Sequence, residues 1–547
     1  MIKEKFMEIL PFLIVINVFI ILLKYVDAES TSLMWLIPVF FLVNIAIILA
    51  SFFMSFRTIT QAFNKISKRT WVLLLIIFIV ALSLRVFVAP HTHRVYYDED
   101  IYLNIAQNIV HDGKAILCNR GTPDHCDEGV LNKQPQSLSF FLSIFFLFFG
   151  VNEALASYIM MLVSSLSVPL LFFLVYLITK KEEPALFSSL ILALTPIHIL
   201  WAPTITGETL LVFFSILAFT AIYIYLENKS ASTLYLAVSL LAFAAQIRPE
   251  APLLIPVAAL LFLKEKFDNN LLLAFILLLV LFSPYVLQFK NVSGDSWGAD
   301  SGQKLGTAYI KPNSYVNSKF FVENTRYPAL FTIFILPGII YLLFKREYLK
   351  LSLILSWFLL FFSMYALFYA GSFNYGADVR FSLTLYVPVS ILIGLGIYMI
   401  KSIIPLKKKA VSSSILAVLI LVTFSQFIPF VHAIGEEAWD ARLSHDFAIS
   451  EAKKAGNGCY VFTHVPTMFL INDINALQTW YGSNEKIISD IFKKTDCVLY
   501  EEGYWCVNVQ QYRDGVCKYL KDNFDLTPIS SAKEREKTFT LYNMERK

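Results

Sequence analysis

Charge is what this sequence has least of. Asp, Glu, Lys and Arg make up 16% of its 547 residues, against 57% hydrophobic and 15% aromatic, more apolar surface than a soluble core of this length hides. Lipid is therefore its expected solvent. The net charge of +4 is too small to imply nucleic acid as a partner. A cleavable leader is not expected either: the first apolar run, Met7 to Lys24, has no small-residue cleavage site before Asp27 and is followed at once by another run. Cysteine is sparse, with six in the chain, and none lies in an apolar run.

Apolar runs of a length to cross a hydrocarbon core of roughly 30 Å recur up to about residue 432. We place spans at 7–24, 33–54, 71–89, 154–179, 184–201, 208–227, 231–247, 251–264, 270–289, 328–344, 348–370, 381–400 and 410–432, about thirteen in all. The stretch Leu138 to Phe149 is equally apolar, but a helix of its length rises only about 18 Å. Basic residues decide its status. If it does not cross, the clusters at Arg57/Lys65/Lys68/Arg69, Lys180/Lys181, Lys264/Lys266, Lys345/Arg346/Lys350 and Lys407/Lys408/Lys409 share one side, which the positive-inside rule makes cytoplasmic. The expected topology has a cytoplasmic N-terminus in the plasma membrane. It also has outer segments at 90–153, 290–327 and 371–380 and an outer C-terminal part from 433.

All six cysteines, Cys118, Cys126, Cys459, Cys497, Cys506 and Cys517, fall in those outer segments, as disulfides in an oxidising compartment do. Cys118 and Cys126 flank a turn-rich stretch that suits a small disulfide loop. A zinc site using His125 is the alternative, although the spacing matches no usual ligand pattern. Pairing among the four C-terminal cysteines stays open. The C-terminal part alternates a helical stretch, Ala448 to Lys454, with strand-like GCYVFTH and DCVLYEE, which suggests a small α/β domain. The expected organisation is two extra helices over 1–56, a helical membrane domain over 57–432 and a soluble α/β domain over 433–547.

The first outer loop opens with Asp98-Glu99-Asp100 behind Tyr96 and Tyr97. Ile101, Ile105 and Ile109, beside Tyr102, Ala106 and Val110, recur at helical spacing, which predicts an amphipathic helix resting on the membrane with Asp98 as its cap. Capping and the helix dipole explain acids at a helix start; their place at the bilayer edge makes them candidates for chemistry as well. Further on, Asn132-Lys133-Gln134-Pro135 precedes the short apolar stretch, where Lys133 reads as a snorkelling lysine. Glu208, Arg248-Pro249-Glu250 and Asp378-Val379-Arg380 lie at span ends on the same outer face. Arg85, near an outer end, is expected to snorkel. Asn291-Val292-Ser293 fits a glycosylation acceptor.

The order of these features resembles the GT-C membrane glycosyltransferases, in particular family 39, the protein O-mannosyltransferases, and the related aminoarabinose transferases. The residues that carry it are Asp98, Glu99, Tyr102, Ala106, Lys133, Pro135, Phe149-Gly150-Val151, Thr195-Pro196, Glu208, Arg380 and Pro388. It covers about Trp71 to Val431. The first two spans have no counterpart, and the chain has Asn132 where relatives often have a histidine.

The resemblance implies transfer of a sugar, a hexose such as mannose, from a polyprenyl- or dolichyl-phosphate donor to an acceptor hydroxyl. The acceptor is a protein, a glycan or a lipid. On this pattern Asp98 is the base and the configuration inverts, with Glu99 or Asp100 orienting the acceptor or raising the basicity of Asp98. Tyr102 and Glu208 are further acceptor-orienting candidates. Arg380 is the first choice for the donor phosphate, because a guanidinium holds two of its oxygens at once; Arg248 and Lys133 follow. No cofactor is required, although Asp98, Glu99 and Asp100 with His91 or His93 make a set able to take a divalent ion. The alternative function is a transporter or flippase of lipid-linked sugars; the lack of ionisable residues within the spans and of an internal repeat weighs against it.

Overall fold

A computed structural model describes residues 2–25, 30–263, 265–292, 303–324, 326–374, 378–403, 409–432, 436–456, 458–534 and 536–547. Ser293 of the glycosylation triplet lies outside these residues, as do Lys264, Lys407 and Lys408 of the basic clusters. The chain divides into two compact units. The first holds Met1–Glu29, Val39–Thr92 and Ser157–Ala433; the second holds Ser30–Pro38, His93–Ala156 and Ile434–Lys547.

The chain is mostly helical. Among the described residues seven helices are long and apolar enough to cross a membrane: Thr31–Phe63, Lys68–Val88, Glu153–Thr179, Gly207–Asn228, Asn269–Val292, Tyr348–Leu367 and Val379–Ile403. Of the other six expected spans, 7–24 falls within one continuous 24-residue helix, Ile2–Tyr25, and the other five are shorter or interrupted helices. Proline explains one of the breaks. Pro196 has no N–H to continue the helix Glu182–Leu194, so Thr195 turns extended and a short helix, Pro196–Leu200, starts afresh. The helices Gly207–Asn228 and Val379–Ile403 are largely buried, whereas Lys68–Val88 and Asn269–Val292 bury only a minor part of their length and leave side chains such as Val72, Ile76, Leu273 and Val280 exposed. Hydrocarbon outside and packed helices inside account for both kinds.

Close approach in this first unit depends on three glycines. A Cβ on Gly396 would overlap the Phe334 carbonyl, one on Gly394 the Ser188 hydroxyl and one on Gly338 the Leu392 carbonyl. Small residues let helix backbones touch where no hydrophobic driving force separates protein from lipid. Arg85 does not snorkel. It is fully buried on a π-helical turn, Leu84–Val88, and donates to Ser164 Oγ at 2.7 Å and to the carbonyls of Ala81 and Ala193 at 2.9 and 3.2 Å. Its Nη2 meets His198 Nδ1 at 2.6 Å. A buried guanidinium needs all of these partners, and neighbouring helices supply them more fully than the bilayer edge would.

The second unit is built on one seven-stranded sheet of order β2-β1-β4-β3-β5-β7-β6. Its strands are β1 (Leu117–Thr122), β2 (His125–Val130), β3 (Tyr460–Thr463), β4 (Asn475–Gln478), β5 (Val498–Glu502), β6 (Phe524–Glu534) and β7 (Lys537–Arg546). β3 runs parallel to β4 and β5; the other pairs are antiparallel. The sheet is thus not confined to the C-terminal segment, because the first loop's hairpin adds its strand β1 to the edge of β4. Three disulfides hold it: Cys118–Cys126 across the hairpin, Cys459–Cys497 and Cys506–Cys517. Zinc at Cys118 and Cys126 is ruled out by that bond.

The helix Tyr96–Asp112 departs from its expected setting. It does not present one face to a membrane, because Glu99 to Gln107 are buried without interruption. Its polar stripe bonds to backbone instead of water. Asn104 Oδ1 accepts the Cys118 N–H at 2.9 Å, Asn108 donates to the Ile116 carbonyl at 2.9 Å, and Gln107 donates to the Pro123 and Leu470 carbonyls at 2.9 and 3.0 Å. Periodicity sees polar residues and infers solvent; here buried main chain takes the place of solvent. Gly113, at φ 67°, ends the helix in the left-handed region. The apolar helix Ser137–Phe149 has 13 residues and exposes Leu147, Phe148 and Phe149 at its end.

Replacing Gly396 with Val should cost about 1–3 kcal/mol by overpacking against Phe334. A thermal melt of the detergent-solubilised protein reads it, and an unchanged midpoint would contradict the packing described.

Candidate functional site

The acidic trio splits into three environments. The helix begins at Tyr96 with Val95 as its cap residue, whose side chain accepts nothing, so the first N–H groups need another acceptor. Glu99 provides it: Oε1 accepts the N–H groups of Arg94 and Val95, each at 2.9 Å. Val95 therefore holds the cap position expected for Asp98, and Glu99 reaches back to the main chain there. Asp98 lies half-buried in the first turn. Tyr97 beside it has its hydroxyl pushed up to about 12 by burial and then by the Asp98 charge. Asp100 is buried at 1% exposure, and desolvation raises its carboxyl to about 7 against the pull of His445 and His93.

His93 precedes this helix. Burial by itself would lower its imidazolium, but Glu99, Glu153 and Asp100 together raise it to about 10. Its Nε2 hydrogen-bonds Glu153 Oε1, and its Nδ1 lies 3.8 Å from Glu99 Oε2. Ligand atoms of His93, Glu153 and His445 all fall within 4.8 Å of one another, the one group of three or more metal-type side chains so gathered among the described residues. Of the set expected for a divalent ion, His93 belongs to this group. His91 is engaged elsewhere, with Nε2 at 2.8 Å from the Val86 carbonyl.

Tyr102 is buried on the same helix and its hydroxyl donates to Gln134 Oε1 at 3.4 Å. Gln134 in turn donates its N–H to Asn132 Oδ1 at 2.8 Å, which shapes the turn that carries half-buried Lys133. Tyr102 and Lys133 thus sit in the same unit as Asp98.

In the first unit the structure gathers Glu208, Arg248 and Arg380. Glu208 stands in the first turn of Gly207–Asn228 with no exposed surface. Its Oε1 lies 3.0 Å from Arg248 Nη1 and 3.1 Å from Arg380 Nε. Arg248 also bonds Glu250 Oε1 at 3.1 Å, and the Tyr365 hydroxyl donates to that oxygen at 2.9 Å. Phe381 lies under both guanidinium groups, at 5.2 and 5.6 Å from its centroid, and stacks on Tyr365. Gly207 makes room: a Cβ there would come within 2.7 Å of the Arg248 side chain. Two cations and two carboxylates balance, as buried charges must.

The sequence shows Glu250 and Phe381 beside the chosen arginines but assigns them no role, and it gives no sign of Tyr365, Glu153 or His445. Glu250, two residues from a chosen arginine, was within reach. Tyr365 lies in an apolar run and His445 in a polar helix, where nothing local marks them.

Replacing Glu208 with Ala should destabilise the protein by about 3–5 kcal/mol, because both guanidinium groups lose their shared carboxylate inside the fold. Glu250→Ala should cost less. Equal losses in chemical denaturation of the detergent-solubilised protein would remove Glu208 from the centre of the cluster.

The family model of the dolichyl-phosphate-mannose-protein mannosyltransferases matches residues 133–287, a segment that includes Lys133, Glu208 and Arg248. No curated protein matches the chain in sequence. Among solved structures, the chain is similar to the archaeal oligosaccharyltransferase AglB from Archaeoglobus fulgidus in complex with an inhibitory peptide and a dolichol-phosphate. The identity is 10% and the TM-score 0.52, over 86% of this chain and 74% of that one. It is also similar to ArnT from Cupriavidus metallidurans bound to undecaprenyl phosphate, at 12% identity and TM-score 0.54, over 86% of this chain and 97% of ArnT. Apo ArnT gives 11% and 0.53, over 86% and 96%. Identities this low speak for the fold.

Proposed function

From a fold similar to those of AglB and ArnT and a family model matched over residues 133–287, we propose that this chain is a GT-C membrane glycosyltransferase that transfers a sugar, a hexose such as mannose, from a polyprenyl-phosphate donor to an acceptor hydroxyl at the extracytoplasmic face. The observation that carries the proposal is the division of the acidic trio. Glu99 is committed to two backbone N–H groups and Asp100 is buried, which leaves half-buried Asp98 as the carboxylate an acceptor reaches. Lipid phosphates in the AglB and ArnT structures support a lipid-linked donor. Disulfides in the second unit support an oxidising side for it.

In the proposed step Asp98 accepts the acceptor's hydroxyl proton as that oxygen bonds the anomeric carbon. The bond from that carbon to the phosphate oxygen breaks on the opposite side, which inverts the configuration. Polyprenyl phosphate departs with the electron pair. Its new charge needs cationic partners, for which Arg380 and Arg248, both held by Glu208 within the first unit, are the candidates. A phosphate is already a good leaving group, so no strong general acid is needed. Lys133 and Tyr102 are left for acceptor or donor orientation, and buried Asp100 for raising the basicity of Asp98.

Incubating the purified protein with labelled polyprenyl-phosphate hexoses and protein, glycan and lipid acceptors tests this. Asp98→Asn should lower the transfer rate about 10²–10⁴-fold. Arg380→Lys should mainly weaken donor binding, since the two-pronged contact is lost. Full activity of Asp98→Asn would end the assignment, and movement of intact donor across vesicles without transfer would favour the flippase alternative.

A further inference from the structure

We propose that His93, Glu153 and His445 form a binding site for one divalent zinc-type cation, separate from the acidic trio's role as acceptor base. The three side chains come from the segment before the acidic helix, the first turn of Glu153–Thr179 and the helix Glu436–Ala455. Their ligand atoms lie within 4.8 Å of one another, close enough for an ion to draw them onto one coordination sphere. Two imidazoles with one carboxylate is a donor set for zinc and its neighbours, whereas calcium and magnesium favour oxygen alone.

The surroundings of the two histidines point the same way. His93 Nδ1 lies 3.8 Å from Glu99 Oε2, and His445 Nδ1 lies 3.3 Å from Asp446 Oδ1. The hydrogen bond between Asp446 and His445 Nδ1 orients that imidazole, as carboxylates beside metal-bound histidines do, whereas Glu99 acts on His93 through its charge. Glu99 is itself fixed by the N–H groups of Arg94 and Val95. The His93 and His445 rings stand 5.2 Å apart, tilted by 36°. Asp100 adds an independent sign. It is buried at 1% exposure and electrostatically coupled to His93, His445 and Glu153, and its Oδ1 has no hydrogen-bond partner. A buried carboxylate oxygen of that kind calls for positive charge nearby, which a cation held by His93, Glu153 and His445 would supply. The bound ion would tie the segment leading to Asp98 to the helix Glu436–Ala455, so its role is positioning.

The test needs no sugar donor, so its outcome is independent of the proposed function. The full chain, purified in detergent, is incubated with zinc, desalted and analysed for metal. About one zinc per chain is expected for the wild type and for His432→Ala, an exposed histidine elsewhere. His445→Ala and Glu153→Gln, the second a near-isosteric change that retains a hydrogen bond to His93, should each retain less than about a fifth of that. Chelation should lower the melting temperature of the wild type and leave that of His445→Ala unchanged. Substoichiometric zinc in the wild type, or full zinc in Glu153→Gln, overturns the proposal.

Discussion

The second unit depends on one constraint: a helix with an acidic trio in its first turns and three carboxamides behind it is buried from Glu99 to Asn108. A buried polar group without a partner costs about 1–3 kcal/mol, so each of these side chains has to be answered. Asn104, Gln107 and Asn108 are answered by main-chain groups of Cys118, Ile116, Pro123 and Leu470. Those bonds hold the hairpin β1-β2 and the segment before β4 against the helix. The hairpin then completes the edge of β4 and is closed by Cys118–Cys126. The position of Asp98 is therefore fixed by the whole unit through a helix that cannot turn without breaking these bonds.

In the first unit the same rule operates on charge. Arg248 and Arg380 are buried, and a buried guanidinium is tolerated where a carboxylate and an aromatic face meet it. Glu208 serves both arginines, Glu250 and Tyr365 complete the group, and Phe381 lies beneath. A phosphate arriving there would meet cations already oriented, and the carboxylates keep the arginines in place when it has gone. Arg85 is a different case. With His198, Ser164 and two carbonyls as partners it joins helices, and it has no carboxylate neighbour among its recorded bonds.

Much of this was legible in the sequence because hydrophobicity and order along the chain are local properties. The apolar runs, the short stretch before Phe149, the six cysteines outside those runs and the residues Asp98, Glu208, Arg248 and Arg380 were all read that way. What sequence could not show were the contacts. The acidic helix was read as lying on a membrane because its polar stripe looks the same whether water or buried main chain satisfies it. Arg85 looked like a snorkelling residue because its distance from the span end was visible and its partners, about 80 and 110 positions on, were not. Helix length misled too. Runs such as 184–201 are apolar enough to span, yet Pro196 breaks the backbone within them.

The acidic trio shows why neighbouring residues of one chemical type are not interchangeable. Along a helix each residue turns about 100° from the last, so Asp98, Glu99 and Asp100 face three directions. One direction meets the N–H groups of Arg94 and Val95, another the buried histidines, and the third remains partly open. A base must be both ionised and reachable. Burial raises the Asp100 carboxyl to about 7, so near neutral pH it is partly protonated, and it lies out of reach; Glu99 has its lone pairs engaged by the helix start. The geometry of one helical turn thus separates a carboxylate held by main-chain N–H groups, one coupled to buried histidines and one that stays partly exposed, and the proposal of Asp98 as the base rests on that separation.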